Sequence, residues 1–172
     1  DIITPGLVER FRATLGPSMF AQDGKAPLAI HWCLAPDAAA PERIGPDGHP
    51  RRGGFLPPVP LPRRMWAGGR LTLIEPLPLG STITRRSRIA DVVRKEGRGG
   101  EMVFVAVDHV FGHDGRELIR ERHDIVYRAA AGADGRSTGA PEQNRATHPD
   151  VRTETVEATP TLLFRYSALT FN

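Results

Sequence analysis

The sequence predicts an α+β fold in which a curved antiparallel sheet is built from the middle of the chain. Apolar residues near the start recur at helical spacing, and from residue 69 onward short turns separate segments with the two-residue period of strands. The apolar run at residues 102–107 indicates a central strand, covered by a helix on one side and by more protein on the other. With 172 residues, 40% of them hydrophobic, the chain can bury one good core.

The first element is a short amphipathic helix. Thr4 suits the N-cap position and Pro5 the first helical position, where its missing N–H is not needed. Gly16 ends the segment, whose apolar residues are Leu7, Val8, Phe11 and Leu15. Residues 28–34 form a second buried segment of ambiguous type, and the Pro- and Gly-rich residues 35–62 form a loop that is either ordered or mobile.

Four consecutive strands are predicted next, at residues 70–77, 82–95, 101–113 and 117–128. Asp114-Gly115 is typical of a type I′ hairpin turn, and short turns throughout favour antiparallel neighbours. The four strands are therefore expected to form a meander.

The remainder of the chain is expected to be a linker followed by the start of a second folding unit. Residues 131–149 are poor in large apolar groups and predict a poorly ordered linker. Strand character returns at residues 153–156 and 162–171, where the last strand is expected to lead into an active-site loop. The predicted domains are thus 1–130 and 150–172, joined by 131–149.

Charge and composition exclude several classes of protein. The net charge is +3, and the basic cluster between residues 85 and 98 contains no stacking aromatic, which argues against a nucleic-acid binder. We expect that cluster to be a solvated strand face, with the steering of an anionic ligand as the alternative. No apolar run approaches a membrane span of about 20 residues, and the single cysteine, Cys33, fits a reducing cytosol, so a cytoplasmic location is expected.

None of the six histidines is expected to catalyse a reaction or bind a metal. They lack HxxH and HxxxH ligand patterns apart from His109 and His113, which fall on a strand and its turn. His31 is expected to be a core residue. The others are interpreted as strand-face or loop residues: His49, His109, His123 and His148.

Three short runs carry a resemblance to a known family: PRRMWAGG at residues 62–69, LG at 79–80 and GRGG at 97–100. With them the chain resembles, over essentially its whole length, the N-terminal hot-dog domain of MaoC-like and fungal fatty-acid-synthase-type dehydratases. Within that family it is most similar to the mesaconyl-C4-CoA (itaconyl-CoA) hydratases and the mitochondrial 3-hydroxyacyl thioester dehydratases. The resemblance implies a sheet wrapped around a central helix, and the start of a second hot-dog domain after residue 150.

The resemblance also implies a hydro-lyase that acts on a short 2-enoyl or 3-hydroxyacyl thioester. Its catalytic His and Asp are expected after Asn172. If Asn172 is aligned with the Asn of the broader family's Asp-x-Asn-Pro-x-His pattern, Thr170 takes the place of the Asp. Either the acid comes from further along the chain, or the domain as given is inert.

Five residues of the first run are expected to bind substrate: Arg63, Arg64, Trp66, Gly68 and Gly69. An arginine stays protonated, so it can bind a phosphate or carboxylate but cannot act as the base. For Trp66 a core position is the alternative, and for the two glycines the relief of a bend is the alternative.

The expected chemistry needs no metal or redox cofactor, only CoA or an acyl carrier as the thioester carrier. A homodimer or a double hot-dog assembly is the expected partner arrangement, with neither nucleic acid nor membrane involved. Two other functions stay open. One is a hot-dog acyl-thioesterase, and the other is a non-catalytic module for dimerisation and for lining a substrate tunnel.

Overall fold

A computed structural model describes residues 1–16, 24–46, 48–97, 100–130 and 155–172. It contains, in chain order, helix α1 (Pro5–Leu15), two 3-10 helices (Ile30–Cys33 and Pro41–Arg43), strands β1 (Arg63–Leu73), β2 (Thr84–Gly97), β3 (Gly100–His113) and β4 (Arg116–Arg128), and helix α2 (Pro160–Thr170). The predicted α+β class is confirmed. None of the described helices has the length and apolar character needed to cross a membrane.

Helix α1 begins and ends where the sequence predicts. The Thr4 hydroxyl accepts a hydrogen bond from the Leu7 N–H at 3.1 Å, and Pro5 occupies the first turn. Gly16 caps the helix with φ +58° and donates its N–H to the Arg12 carbonyl. The buried residues Leu7, Val8 and Phe11 anchor the helix to the core.

The sheet has the strand order β1-β4-β3-β2, with all neighbours antiparallel. Strands β2 to β4 form the predicted meander, and Asp114 and Gly115 take the positive φ values of 48° and 77° that a type I′ turn requires. The expected pairing of the first strand with the second is wrong, because β1 pairs with β4. Residues 74–83 make a long connection instead of a hairpin, so β1 and β2 form the two edges of the sheet.

Strand β1 begins seven residues earlier than predicted and includes Arg63, Arg64 and Trp66. A bulge between Trp66 and Gly68 shifts the register against β4. Because a bulge interrupts the alternation of side chains, the two-residue period is hidden in this part of the sequence.

Strand β3 is central, as predicted, with Val105 and Val107 buried. A helix was expected to cover residues 102–107 of this strand, but an irregular segment packs on its buried valines instead. Val59 and Leu61 of the irregular segment before β1 share a buried cluster with these valines. Among the described residues between α1 and β1, the only helical pieces are the two 3-10 helices.

The expected strand at residues 162–171 is wrong, because this segment is helix α2. Thr159 and Pro160 repeat the start of α1, and the Thr159 hydroxyl accepts from the Leu162 N–H at 3.1 Å. The N-terminal cap favours a helix over the predicted strand. The predicted linker at 131–149 lies outside the described residues, and the division into two domains stays a prediction.

Two apolar clusters make up the core. The first joins α1 and the 3-10 helix Ile30–Cys33 to the ends of β3 and β4 around Phe111, Leu118 and Ile119. The second packs the segment before β1 against Val103, Val105, Val107 and Tyr127. Both clusters lie on one face of the sheet, which we call the inner face. Between the two clusters this face carries polar side chains, and the candidate site lies there.

Candidate functional site

An open cleft of about 1850 Å³ lies over the inner face of the sheet. Its walls come from all four strands, from the 3-10 helix Ile30–Cys33, from the irregular segment around residues 36–56 and from α2. The size is sufficient for a cofactor-sized or thioester-sized ligand. Among the residues that the structure describes, three arginines line it from the cleft side, Arg51, Arg64 and Arg85, against the two acids Asp37 and Glu121. Arg70 and Arg122 also border the cleft, but alternation along β1 and β4 turns their side chains to the other face of the sheet.

Four polar side chains form a band across the wall of this cleft. The strand register places Ser87 of β2 opposite His109 of β3, and His109 opposite Glu121 of β4. His123 follows Glu121 by two residues and so lies on the same face. We refer to Ser87, His109, Glu121 and His123 as the polar band. On β3 it separates Val107 of one apolar cluster from Phe111 of the other.

Glu121 is the centre of the band and is 8% exposed. The Trp32 indole N–H donates to Glu121 Oε1 at 2.8 Å, and His123 Nε2 lies 2.9 Å from the same oxygen. His31 Nε2 lies 3.4 Å from Oε2. Burial alone would raise the pKa of Glu121, but His123, His31 and Trp32 together hold it well below its usual range. Glu121 is therefore an ionised carboxylate whose two oxygens already face donors.

His31 is fully buried beside this carboxylate. Its ring packs edge-on against Phe111, with centroids 5.0 Å apart. Neither ring nitrogen has a hydrogen-bond partner of good geometry among the residues that the structure describes. The core position predicted for His31 is confirmed, and its contact with Glu121 fixes the 3-10 helix on the sheet.

His109 shares a hydrogen bond of 2.7 Å between its Nδ1 and the Ser87 hydroxyl. Its ring meets that of His123 edge-on at 4.7 Å. Burial, then the neighbouring His123 and Arg85, lower the pKa of His109 from 6.5 to about 4. His109 is therefore a neutral imidazole at physiological pH, available as a hydrogen-bond donor or acceptor but weak as a base.

Two other titratable groups near α2 are kept uncharged. Burial raises the pKa of the Cys33 thiol to about 11, so Cys33 is a packing residue with little thiolate character. Burial, Cys33 and Glu121 raise the pKa of Tyr166, which lines the cleft. The tyrosine can donate a hydrogen bond there without ionising.

Of the five residues predicted to bind substrate, three line the cleft and two do not. Arg64, Trp66 and Gly69 line the cleft, and the Trp66 side chain is 72% exposed, which excludes the core position for it in the described chain. Arg63 and Gly68 are not among the lining residues. Adjacent strand residues face opposite sides, and this accounts for the difference between Arg63 and Arg64. That these five residues bind substrate stays a prediction.

Gly69 has a structural reason to be glycine. A Cβ at this position would lie 2.4 Å from the Arg122 carbonyl oxygen of the paired strand, whereas a Cβ at Gly68 would meet nothing within 4 Å. The close approach of β1 and β4 therefore requires the one glycine and not the other.

Thr170 and Asn172 both line the cleft at the end of α2. The Thr170 hydroxyl donates to the Tyr166 carbonyl at 2.9 Å, and the Asn172 N–H donates to the Ser167 carbonyl at 2.9 Å. The end of α2 therefore lies at the cleft. Their catalytic role is not tested by this geometry.

The polar band was missed by sequence reasoning. Its members are far apart in the chain, and His109 and His123 were interpreted singly as strand-face residues. The available signal was the period of two in β4, which sets Glu121 and His123 on the face that Ile119 and Ile125 identify as inward. Across the described ranges, no group of three or more His, Cys, Asp or Glu residues could hold a metal ion.

Comparison with known proteins identifies a family for the chain and agrees with its fold. Residues 29–172 match the model of the family described as hydroxyacyl-thioester dehydratase type 2. A curated relative, the mesaconyl-C(4)-CoA hydratase of Chloroflexus aurantiacus, is 40% identical over 162 residues, which cover 93% of this chain and 57% of that protein. The chain thus spans little more than half the length of this relative.

Solved structures show the same fold. Two crystal structures of HtdX from Mycobacterium tuberculosis superpose with TM-scores of 0.57 and 0.55 at 15% and 14% identity. They cover 99% and 98% of this chain, and 57% and 60% of theirs. The predicted hot-dog fold is confirmed by these neighbours.

Proposed function

Because the chain belongs to the hydroxyacyl-thioester dehydratase type 2 family, we propose that its full-length protein is a hydro-lyase. It adds water across the double bond of a short 2-enoyl thioester, or removes water from the 3-hydroxyacyl thioester. The mesaconyl-C4-CoA or itaconyl-CoA type of substrate is part of the proposal, and it is supported by the 40% identity to the curated hydratase. No redox cofactor or metal takes part in the proposed reaction, and CoA or an acyl carrier is the thioester carrier.

The single observation that carries the proposal is the arginine-lined cleft over the inner face of a hot-dog sheet. A CoA thioester is anionic at its carrier and mostly apolar in its acyl group. A wide cleft with cationic side chains and apolar clusters on both sides of a polar band suits such a ligand.

Hydration requires a base to take a proton from water as it attacks C3, an acid to protonate C2, and a donor for the enolate oxygen. Glu121 is a poor base, because Trp32 and His123 contact its Oε1 and, together with His31, keep its pKa low. We propose that the proton-transfer residues follow Asn172, and that the described residues bind and orient the substrate. The proposal places the end of α2, with Thr170 and Asn172, beside the reacting carbons.

A thioesterase is the second candidate, because one specific contact favours it. The Ser87 hydroxyl lies 2.7 Å from His109 Nδ1, as a nucleophile lies beside its base. The low pKa of His109 argues against this role, since a base that holds a proton only below about pH 4 activates a hydroxyl weakly at pH 7.

One assay separates the candidates. Full-length protein is mixed with crotonyl-CoA, and both the enoyl absorbance and free thiol are followed. A fall in absorbance without free thiol supports the hydro-lyase, and Ser87→Ala should leave its rate within about threefold because the serine is assigned no proton transfer. Thiol release that Ser87→Ala abolishes would establish the thioesterase. If neither signal appears with any enoyl thioester, only a structural module remains.

We also propose a homodimer or a double hot-dog assembly. Its support is that both β1 and β2 are edge strands within the described chain, and edge strands offer unpaired N–H and C=O groups to a partner. Sedimentation of the full-length protein tests this directly: a single-domain monomer would contradict it.

A further inference from the structure

Arg85 stands at the end of the polar band and differs from the other basic residues of β2. It is two residues from Ser87 and so lies on the inner face, where it lines the cleft. Its side chain is only 25% exposed, whereas that of Arg88 is 77% exposed. The basic cluster of β2 was expected to be a solvated strand face, but the Arg85 guanidinium lies inside the cleft and does not fit that interpretation.

The acid paired with Arg85 comes from an exposed part of the chain. Arg85 Nη2 donates to Asp37 Oδ1 at 2.9 Å, and the Asp37 side chain is 71% exposed. Asp37 belongs to the irregular segment between the two 3-10 helices. Because the Asp37 side chain is mostly exposed, its carboxylate can be replaced by another at little cost.

We propose that Arg85, together with Ser87 and His109, recognises the free carboxylate that a mesaconyl-C4-CoA type of substrate carries on its acyl group. The inference rests on the proposed function and names the residues that set its specificity. In it, Asp37 occupies the place of the substrate carboxylate when the cleft is empty.

The charges around this subsite suit an anion. Arg85 supplies a permanent positive charge and a planar set of donors that matches a carboxylate. Ser87 and His109 are neutral, hydrogen-bonded to each other, and directly beside it in the register. The one buried negative charge nearby, Glu121, already faces Trp32, His31 and His123. Glu121 therefore competes little for the donors of the subsite.

Because Arg85 is largely buried in the cleft, the subsite should also discriminate against acyl groups that lack a carboxylate. An acyl group with a methyl where the carboxylate would lie offers no partner to the donors of Arg85, Ser87 and His109. Sites built to hydrogen-bond a polar substrate group reject analogues that lack it, because their own polar groups are then left in an unfavourable environment.

Binding of unreactive thioesters tests the recognition without turnover. Succinyl-CoA and butyryl-CoA differ only by a carboxylate in place of a methyl, and their dissociation constants are measured by calorimetry on the full-length protein. Wild type should bind succinyl-CoA about 10- to 100-fold more tightly, as a hydrogen bond to a charged group implies. Arg85→Gln should remove that preference. The matched variant Arg86→Gln, one residue along on the exposed side of β2, should retain it.

Turnover supplies a second readout. Arg85→Gln should lower kcat/KM for mesaconyl-C4-CoA by about 10- to 100-fold and change that for crotonyl-CoA by less than about threefold. Asp37→Asn should lower KM for mesaconyl-C4-CoA, since the internal competitor is removed. A merely structural ion pair would predict the opposite for Asp37→Asn.

The two proposals fail in different ways. The carboxylate subsite would be overturned if wild type bound succinyl-CoA and butyryl-CoA equally well, or if Arg85→Gln weakened the binding of both by the same factor. Either result would count even if the protein hydrates crotonyl-CoA. Absence of hydration of every enoyl thioester, with the succinyl preference present and lost in Arg85→Gln, would overturn the proposed function and leave the subsite in place.

Discussion

Glu121 is a buried carboxylate, and the side chains around it stabilise its ionised form. Trp32, His31 and His123 surround a carboxylate that lies between two apolar clusters. Removal of one partner of such a group leaves the others desolvated and without a partner. The network thereby connects the 3-10 helix Ile30–Cys33 to strand β4.

We expect Glu121→Ala to lower the free energy of unfolding by about 2 kcal/mol, because Trp32 and His123 lose the acceptor they share and the buried His31 ring loses the neighbouring carboxylate. Glu117→Ala is the matched control on the same strand. Glu117 pairs with Arg120 at the surface, and its loss should change stability by less than about 1 kcal/mol. Urea denaturation of both variants measures the difference, and equal values would show that the buried network contributes nothing.

Acid should weaken the fold through His109. Its pKa falls from 6.5 to about 4 on folding, so the unfolded state binds more protons between these values. The free energy of unfolding should therefore rise with pH from about 4 to 6.5 and gain nothing more from this group above that range. His109→Asn should flatten this part of the curve. An unchanged slope in the variant would contradict the low pKa.

Arg64 and Arg63 give a matched pair for substrate binding, since only Arg64 lines the cleft. In the full-length protein, Arg64→Ala should raise KM for the enoyl thioester several-fold with little change in kcat, the pattern of lost uniform binding. Arg63→Ala should leave both constants nearly unchanged. If Arg64→Ala abolished kcat with KM untouched, the arginine would act in the chemical step instead.

At the scale of elements, the contact between β1 and β4 depends on Gly69. We expect Gly69→Ala to destabilise the protein by about 2 kcal/mol, because its Cβ would lie 2.4 Å from the Arg122 carbonyl oxygen and the strands would have to separate. Gly68→Ala has free space and should have an effect below about 0.5 kcal/mol. Thermal unfolding compares the two, and similar melting temperatures would mean that β1 shifts without strain.

Local signals predicted the elements whose conformation they determine. The Thr4-Pro5 cap fixed the start of α1, and Asp114-Gly115 fixed the hairpin between β3 and β4. The same cap signal is present at Thr159-Pro160, but the sequence analysis did not use it and predicted a strand for the residues of α2. Pairing of β1 with β4 was not predictable, because it depends on long-range packing that no local pattern contains.

At the scale of the whole molecule, the site is formed by convergence of elements distant in sequence. Asp37, Arg85, His109 and Glu121 lie on four separate elements and meet only in the folded cleft. Sequence reasoning singled out Arg64 and Trp66 of β1, and both line the cleft. It did not identify the polar band, because the period of two in β4 links only Glu121 to His123, and the strand register is needed to join them to Ser87 and His109.

The most direct test of the hydro-lyase is a reaction of the full-length protein with crotonyl-CoA in heavy-oxygen water, followed by mass spectrometry of the products. The account predicts a 3-hydroxyacyl-CoA that carries the labelled oxygen on its acyl chain, with the thioester intact. Labelled oxygen found instead in a free carboxylic acid, together with free CoA, would contradict it.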